Sequence, residues 1–367
     1  MRIGFFTDSY FPTIDGVTYT LKLWRNRLEK AGHEVWIIYP DGDYQPAALE
    51  LPVKSLPNPF YPGYRVGLVR RPSTLPAFDI VHAHGPGPVG LLGLYYARTH
   101  DTPSVYTHHT PIEEYFHQSI RSRRVAAVLK RLYVPIENRV LGQFDTVTTS
   151  TAQMNRDVDP IKLPVGVDLE FFRPRETASL DGQTLIGYSG RLSMEKNVSE
   201  ILRVAERLSA CDFLIVGEGP QRETLEVQAP DNVVFRDFLP RERLPEFYSA
   251  LDVFVTASTA DTLGLSTLEA NACGTPVAAA DVPPFVETIG PENGARFEYG
   301  NTAAMAAAIE RCLAGTWETR RGVEQYSVSR TIRDLEAIYA ELQNPATSSE
   351  QLRATLDRGA DSPLPDD

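Results

Sequence analysis

Cysteine is scarce in this chain of 367 residues. The three that occur are odd in number and widely spaced, with no C-x-x-C pair, so the sequence indicates neither a disulfide framework nor a zinc knuckle. They are expected to be small core residues in a reducing compartment: Cys211, Cys273 and Cys312. No apolar run approaches the ~20 residues of a membrane span, and the one at the N-terminus is too short for a signal peptide. We therefore expect a cytoplasmic protein.

Positive charge is also in short supply, since 36 Lys and Arg residues stand against 48 Asp and Glu residues and leave a formal net charge of -12. This balance argues against nucleic acid as a partner of the whole surface, because the phosphate backbone is itself anionic. Residues 118–143 are basic, unlike the chain as a whole, and Glu137 is their single acidic residue. Apolar residues lie between the basic ones, so the segment fits either an anionic membrane surface or a solvated helix paired with acidic neighbours. The basic residues are Arg121, Arg123, Arg124, Lys130, Arg131 and Arg139.

Short apolar strands alternate with longer amphipathic helices along most of the chain. This alternation predicts an α/β protein with doubly wound parallel sheets, and the length allows two cores. We expect one domain over residues 1–165 and a second over 166–326, joined near 164–183, where no period is sustained. The predicted strands are Ile3–Phe6, Val35–Ile38, Asp79–Val81, Ser104–Tyr106 and Thr146–Thr148, followed by Leu185–Tyr188, Phe213–Val216, Val233–Phe235, Val253–Val255 and Val277–Ala279.

The segment from Asp252 to Val277 reads as strand, polar loop, helix, glycine stop and strand. Gly264 stands at the expected helix start, where unpaired amides and the helix dipole favour an anion such as a diphosphate. The anion site would consist of Leu263, Gly264 and Leu265. Two carboxylates, Asp261 and Glu269, flank it, and carboxylates accept hydrogen bonds from sugar hydroxyls. The alternative is an ordinary helix of an α/β domain.

Two further strands each end in a glycine turn. Gly190 precedes Arg191 and Lys196, a pair of cations at a helix start that suits a diphosphate, although solvated surface charges are the alternative. Gly217 follows the next predicted strand. A tight turn without a ligand explains a glycine at this position as well as contact with a ligand does. Gly16 is predicted to lie in a loop before an amphipathic helix, and the alternative that this glycine contacts no ligand remains open.

A predicted strand delivers His108 and His109 to its carboxyl end. Together with His82, His84 and His117, they are either buried polar groups or a metal cluster. Adjacent residues on a strand point to opposite faces, which argues against a cluster, and we predict no metal site.

These motifs together resemble the retaining glycosyltransferases of family 4. The stretch from Asp261 to Glu269 resembles the family's E-x7-E signature, with aspartate where the family usually has glutamate. Gly190 to Lys196 resembles its G-R-x-x-x-x-K element, and His109 its H-T element. The resemblance covers Met1 to about Leu342 and implies the GT-B architecture, in which two Rossmann-like domains face each other across a cleft. It also implies that a helix near 327–342 crosses back onto the N-terminal domain, and we expect residues 344–367 to form a mobile tail.

The resemblance also implies residue roles. Arg191 and Lys196 would stabilise the leaving nucleoside diphosphate, with His109 and Asp261 near the transferred sugar and Glu269 on the ribose. The implied reaction is front-face displacement with retention, without cofactor or metal. A UDP-sugar is favoured, although Asp237 replaces a usual glycine on the base side. The donor-binding set is Gly16, Gly190, Arg191, Lys196, Gly217, Leu263, Gly264, Leu265 and Glu269.

The stretches FFTDSYFPTIDGVTYT, DIVHAHGPGPVGLLG and YTHHTPIEEYF resemble in particular glycolipid synthases that glycosylate diacylglycerol and sulfoquinovosyl lipid synthases. We therefore expect a hexosyltransferase that acts on a membrane lipid and lies peripherally on the inner face of the cell membrane. Its membrane contact would use Arg121, Arg123, Arg124, Lys130 and Arg131. Three alternatives stay open: a prenyl-phosphate-linked glycan or a soluble sugar as acceptor, a nonhydrolysing nucleotide-sugar epimerase, and a noncatalytic partner subunit.

Overall fold

The computed structural model describes residues 1–13, 15–58, 64–68, 75–109, 123–151, 154, 156–177 and 183–344. The chain divides into two compact units. Unit 1 combines Met1–Val165 with the chain from Ser329 onward, and unit 2 is Gly166–Val328. Arg121, His117 and residues 345–367 of the expected tail lie outside the described residues.

Unit 1 contains a seven-stranded parallel sheet in the order β3-β2-β1-β6-β7-β8-β9. The N-terminal strands predicted from the sequence are confirmed. The edge strands β3 and β9 and the antiparallel hairpin β4–β5 were not predicted, because they are short and carry little apolar pattern. The bounds are β1 (Arg2–Phe6), β2 (Glu34–Pro40), β3 (Glu50–Val53), β4 (Ser55–Pro57), β5 (Arg65–Gly67), β6 (Ile80–Ala83), β7 (Ser104–His108), β8 (Thr146–Thr149) and β9 (Ile161–Lys162).

Within the described residues, the helices of unit 1 are α1 (Gly16–Lys30), α2 (Pro88–His100), α3 (Arg123–Leu141) and, after unit 2 in the sequence, α11 (Val328–Leu342). Helix α1 begins where Asp15 accepts a hydrogen bond from the Thr18 amide at 2.8 Å, and this cap satisfies a first-turn N–H. The inward face predicted for α1 is confirmed, since Leu21, Trp24 and Leu28 are fully buried.

Helix α11 belongs mainly to unit 1 although it follows unit 2 in the sequence. Its apolar face is buried at Ile332, Leu335 and Ile338. Thr331 Oγ1 donates to the Pro164 carbonyl at 2.9 Å, and Glu336 lies 2.8 Å from His33 Nε2. Burial of this face anchors the helix on unit 1.

Unit 2 contains a six-stranded parallel sheet in the order β12-β11-β10-β13-β14-β15. The predicted strands of this half are confirmed, and the edge strand β15, with the sequence GARF, was not predicted because its apolar signal is weak. The bounds are β10 (Leu185–Ser189), β11 (Asp212–Val216), β12 (Val233–Arg236), β13 (Val253–Thr256), β14 (Val277–Ala280) and β15 (Gly294–Phe297).

The core of unit 2 lies between this sheet and helices α4 and α9, with Ile201, Val204 and Ile309 fully buried. Short 3₁₀ turns cover Met194–Lys196, Arg241–Arg243 and Glu324–Tyr326. The helices are α4 (Val198–Arg207), α5 (Arg222–Gln228), α6 (Leu244–Ser249), α7 (Leu265–Ala272), α8 (Phe285–Thr288), α9 (Thr302–Ala314) and α10 (Thr319–Val323).

Each sheet has one place where the strand order reverses. In unit 1 it lies between β1 and β6, and in unit 2 between β10 and β13. Parallel α/β sheets bind ligands beyond the carboxyl ends of the strands at such a switch point. The loops after these four strands are therefore the first places to look for a site. Within the described residues, no helix is both long enough and apolar enough to cross a bilayer.

Candidate active site

Two glycine turns interlock at the carboxyl ends of β10 and β11 in unit 2. The Gly190 amide donates to the Val216 carbonyl at 3.1 Å, and the Leu192 amide donates to the Glu218 carbonyl at 2.8 Å. Gly217 has a φ of +148°, and a Cβ on it would lie 1.9 Å from the Gly190 carbonyl oxygen. Glycine is therefore required at 217 by the close approach of two backbones.

Lys196 and Asp261 form an ion pair at the switch point of unit 2. Lys196 Nζ lies 2.7 Å from Asp261 Oδ1, and the two side chains are 19% and 23% exposed. The local backbone brings them together. Asn197, in the left-handed region at φ +49°, donates from Nδ2 to the Ala257 carbonyl at 3.1 Å, so the loop after β10 is tied to the loop after β13. The pair thus joins two predicted site residues 65 positions apart.

The loop after β13 leads into α7 through Gly264, whose φ is +73°. A Cβ at this position would lie 2.6 Å from the Phe285 ring, so both conformation and space favour glycine. No side chain among the described residues caps this helix start. Leu263 is buried and Leu265 is the first residue of α7. First-turn amides without a side-chain cap suit an anion.

Glu269 lies on α7 and is buried, with both carboxylate oxygens in contact with polar groups. The Tyr248 hydroxyl donates to Oε2 at 2.9 Å, and Arg241 Nη1 lies 3.5 Å from Oε1. Burial raises the pKa of Glu269 above its usual range, and the Arg241 charge and the Tyr248 hydrogen bond oppose that rise. Arg241 also lies over the rings of Phe171 and Phe172, 5.3 and 4.9 Å from their centroids. These contacts hold the carboxylate in one position.

Arg222 reinforces the Gly217 turn. Its Nη1 donates to the carbonyls of Gly217 and Arg236 at 2.8 and 2.9 Å. Asp237, which departs from the family pattern, is 87% exposed and lies 3.6 Å from Arg222. A side chain at 237 is therefore accommodated without displacing the turn.

In unit 1 three imidazole rings lie together at the carboxyl ends of β6 and β7; we call His82, His84 and His109 the histidine stack. The His82 and His84 ring centroids are 4.0 Å apart, and those of His84 and His109 are 5.3 Å apart. His84 Nδ1 lies 3.0 Å from His109 Nε2. Trp24 of α1 covers all three rings at 5.8 to 6.2 Å. His108 lies beside Tyr106 instead.

Burial lowers the pKa of every member of the histidine stack, because a charged imidazolium loses its hydration there. The pKa of His82 and His84 falls well below the usual range, and that of His109 falls to about 3. The three rings are thus neutral at physiological pH. Within the described part of the chain, no group of His, Cys, Asp and Glu side chains is arranged to hold a metal ion.

Asp8 lies at the unit 1 switch point, and no sequence motif pointed to it. Its carboxylate follows β1 and accepts hydrogen bonds from the amides of Val89 and Gly90 at the start of α2, at 2.9 and 3.3 Å. A Cβ on Gly87 would lie 2.6 Å from Asp8 Cγ, so the glycines of the GPGP loop make room for this carboxylate. A carboxylate two residues after the end of the first strand was the signal that could have identified it.

The structure gathers the predicted residues in two groups. Gly190, Arg191, Lys196, Gly217, Asp261, Leu263, Gly264, Leu265 and Glu269 belong to unit 2, while Gly16 and His109 belong to unit 1. The prediction that Gly16 lies in a loop before the helix was wrong: Asp15 caps α1, so Gly16 is the first residue of that helix. Tyr248 and Arg241, the partners of Glu269, were missed because they lie 21 and 28 residues before it and no local pattern connects them.

Known proteins resemble both halves of the chain. The model of the family described as Glycosyltransferase Family 4 matches residues 14–170, and the model described as Glycosyl transferases group 1 matches residues 171–330. The alpha-monoglucosyldiacylglycerol synthase of Streptococcus pneumoniae is 28% identical over 352 residues, which cover 86% of this chain and 79% of that protein. The GDP-mannose-dependent alpha-mannosyltransferase of Mycolicibacterium smegmatis is 29% identical over 344 residues, which cover 86% of this chain and 89% of that protein.

A solved structure shows the same fold. Sucrose-phosphate synthase from Thermosynechococcus elongatus superposes with a TM-score of 0.70 at 19% sequence identity, covering 93% of this chain and 98% of the other.

Proposed function

This chain belongs to glycosyltransferase family 4, and on that premise we propose that it moves a hexose from a nucleotide-sugar to a hydroxyl group of a membrane lipid. The family and the GT-B fold class that the motifs predicted are both confirmed. The proposed donor is a UDP-sugar, and the proposed transfer proceeds with retention at the anomeric carbon and without a metal ion.

The Lys196–Asp261 ion pair beside the uncapped start of α7 carries this proposal. A nucleoside diphosphate needs positive charge near its phosphates, which Arg191, Lys196 and the α7 amides supply. The transferred sugar needs a hydrogen-bond acceptor for its hydroxyls, which Asp261 supplies 2.7 Å from Lys196. The ribose needs a second acceptor, which we assign to Glu269, fixed by Tyr248.

The bond that breaks in this reaction joins the anomeric carbon to the diphosphate oxygen, and the bond that forms joins that carbon to the acceptor oxygen. Negative charge grows on the diphosphate as it leaves, and the two cations stabilise it more in the transition state than in the ground state. The acceptor proton passes to the departing diphosphate oxygen. In this scheme Lys196 shifts its contact from Asp261 toward the phosphate when the donor binds.

The lipid acceptor is supported by the relative named for diacylglycerol and by the surface of α3. This helix exposes apolar side chains at i, i+3, i+4, i+7 and i+11, which lie on one face of a helix. They are Val125, Val128, Leu129, Leu132 and Ile136, exposed by 38 to 64%. Arg124, Arg131 and Arg139 are exposed on the same helix. Of the basic residues predicted at this surface, Arg121 lies outside the described residues.

Glu137, the single acidic residue of this segment, does not offset that charge at the surface. It is buried and its Oε2 lies 2.6 Å from Arg156, while the Tyr133 hydroxyl donates to Oε1 at 3.1 Å. The outer face of α3 is therefore basic and apolar. Each basic residue near an anionic bilayer contributes about 1 kcal/mol of attraction.

A donor screen tests the proposed reaction. The purified protein is given UDP-, GDP- and ADP-sugars with diacylglycerol, with total lipid extract or with no acceptor, and nucleoside diphosphate release is measured. We expect release from a UDP-hexose only with lipid, and a lipid product whose anomeric configuration matches the donor. Inversion, or release only with soluble sugars, would reject the retaining or the lipid assignment respectively.

A mannosyl transfer is the second candidate, because the relative from Mycolicibacterium smegmatis is named as dependent on GDP-mannose and aligns over most of both chains. The same screen separates the two, since this candidate requires release from GDP-mannose in preference to any UDP-sugar.

Vesicle flotation tests the membrane contact. We expect the protein to float with vesicles that contain phosphatidylglycerol and to remain in the bottom fraction with vesicles of pure phosphatidylcholine. Leu132→Ser should weaken flotation several-fold. Val227→Ser, at an apolar side chain 88% exposed in unit 2, is the matched control and should float like the parent. Equal flotation of the two variants would remove α3 as the contact.

A further inference from the structure

His84 is the central ring of the histidine stack, and its two nitrogens have different surroundings. Nδ1 lies 3.0 Å from His109 Nε2, whereas Nε2 is buried and has no hydrogen-bond partner within the described part of the chain. His82 differs, because its nitrogens lie 2.6 Å from the hydroxyls of Tyr339 and Thr107. The orphan nitrogen of His84 therefore constrains the His84–His109 hydrogen bond.

Only two proton arrangements fit this hydrogen bond. Both rings are neutral, and a neutral imidazole carries one N–H. If His84 Nδ1 donates, the orphan Nε2 is a bare nitrogen, and His109 carries its hydrogen on Nδ1. If His109 Nε2 donates, the orphan Nε2 of His84 carries a hydrogen that has no acceptor. A buried N–H without an acceptor is the rarer defect in folded proteins, which favours the first arrangement.

We infer that His84 is a positioning residue that fixes His109 as the tautomer with its hydrogen on Nδ1. This inference rests on the proposed function, to which it adds the position near the transferred sugar that the family resemblance implies for His109. His109 then presents a fixed, neutral N–H donor to an oxygen lone pair of that sugar. It neither gains nor loses a proton during the reaction.

The packing around His84 keeps the ring in this orientation. Phe5 lies edge-on at 4.7 Å between ring centroids, His82 lies at 4.0 Å, and Trp24 lies at 5.8 Å. Trp24 is itself fully buried, and its Nε1 donates to the Val165 carbonyl at 2.8 Å. A flip of the His84 ring would place a carbon against His109 Nε2 and lose the hydrogen bond.

A pair of variants of nearly equal size separates this role from simple packing. In His84→Asn the amide nitrogen stands where Nδ1 stood and can still donate to His109. His84→Leu has a similar volume and no donor. We expect kcat/KM to fall about tenfold in His84→Leu, as for one lost hydrogen bond, and to stay within about threefold of the parent in His84→Asn. His100→Gln, at an exposed histidine, is the control.

Nitrogen NMR of histidine-labelled protein reads the tautomer directly and needs no substrate. The His109 signals are assigned by their loss in His109→Gln. We expect a protonated Nδ1 in the parent and in His84→Asn, and a mixture of tautomers in His84→Leu. A bare Nδ1 in the parent, or one tautomer in all three proteins, would overturn the inference. Thermal unfolding of each variant identifies a loss of folding, and an inactive protein with the expected tautomers would reject the proposed function alone.

Discussion

The two switch points have the same topology and different chemistry. In unit 1 the strands end in the histidine stack, which is buried and neutral because burial lowers every imidazole pKa. The one carboxylate named there, Asp8, is buried, which raises its pKa, and it accepts hydrogen bonds from the start of α2. In unit 2 they end in charges, with Lys196 paired to Asp261 and Arg241 beside Glu269. The sheet determines where side chains are delivered, and the loop residues determine what they bind. Unit 2 suits an anionic leaving group, and unit 1 suits neutral hydroxyl groups.

The largest expected effect comes from removing charge in unit 2. Arg191→Ala and Lys196→Ala should each lower turnover more than a thousandfold, about 4 kcal/mol, because the leaving diphosphate loses its counter-charge. His109→Ala in unit 1 should lower it only about 30-fold, as for a hydrogen-bonding partner left unpaired. Steady-state kinetics and a thermal melt of each variant check this, with Arg203→Ala on the exposed face of α4 as control. Equal losses of turnover in the two units would contradict the assignment of the leaving-group charge to unit 2.

The interlocked turns of unit 2 should be the next most sensitive feature. Gly217→Ala places a Cβ 1.9 Å from the Gly190 carbonyl oxygen and should cost about 3 kcal/mol or more of unfolding free energy. Gly300→Ala is the matched control, because it has φ +79° but nothing within 4 Å. It should cost only about 1 kcal/mol. Urea unfolding measures both, and similar costs would mean that the close approach does not matter.

The histidine stack should make stability depend on pH. An unfolded histidine binds a proton below about pH 6.5, whereas these folded rings do not. The histidine stack therefore leaves the free energy of unfolding undiminished above that pH and lowers it as the pH drops. Each ring contributes about 1.4 kcal/mol per pH unit there. His84→Asn should therefore reduce the slope by one ring's share below about pH 6. Urea melts from neutral to acidic pH check this, and an unchanged slope would show that His84 titrates normally.

The smallest expected effect concerns Asp261, which is one methylene shorter than the usual glutamate. Asp261→Glu should retain the contact with Lys196 and shift the kcat/KM ratio between hexose donors by tenfold or less, since one methylene in a site is worth about 1 kcal/mol. Kinetics with a set of nucleotide-sugars measure it. Loss of all activity, or identical donor ratios, would contradict a contact between Asp261 and the transferred sugar.

The strands that precede the site were predictable because they are apolar runs bounded by glycine or polar residues, such as Val253–Val255 before Asp261. The edge strands β3, β9 and β15 were not, since pairing with a neighbour stabilises them more than their own composition does. Local motifs also identified Lys196 and Asp261 separately. Their direct contact depends on the Asn197 hydrogen bond to Ala257, which spans 60 residues.

Periodicity and short motifs are local properties, so they were enough to predict the family, the two parallel sheets and the residue types at the strand ends. Which of these residues act together depends on the folded chain. It placed His84 against His109 from neighbouring strands, buried Glu137 against Arg156, and held Glu269 with Tyr248. Such pairs form between residues distant in the sequence, and burial sets their protonation, so no local pattern encodes either.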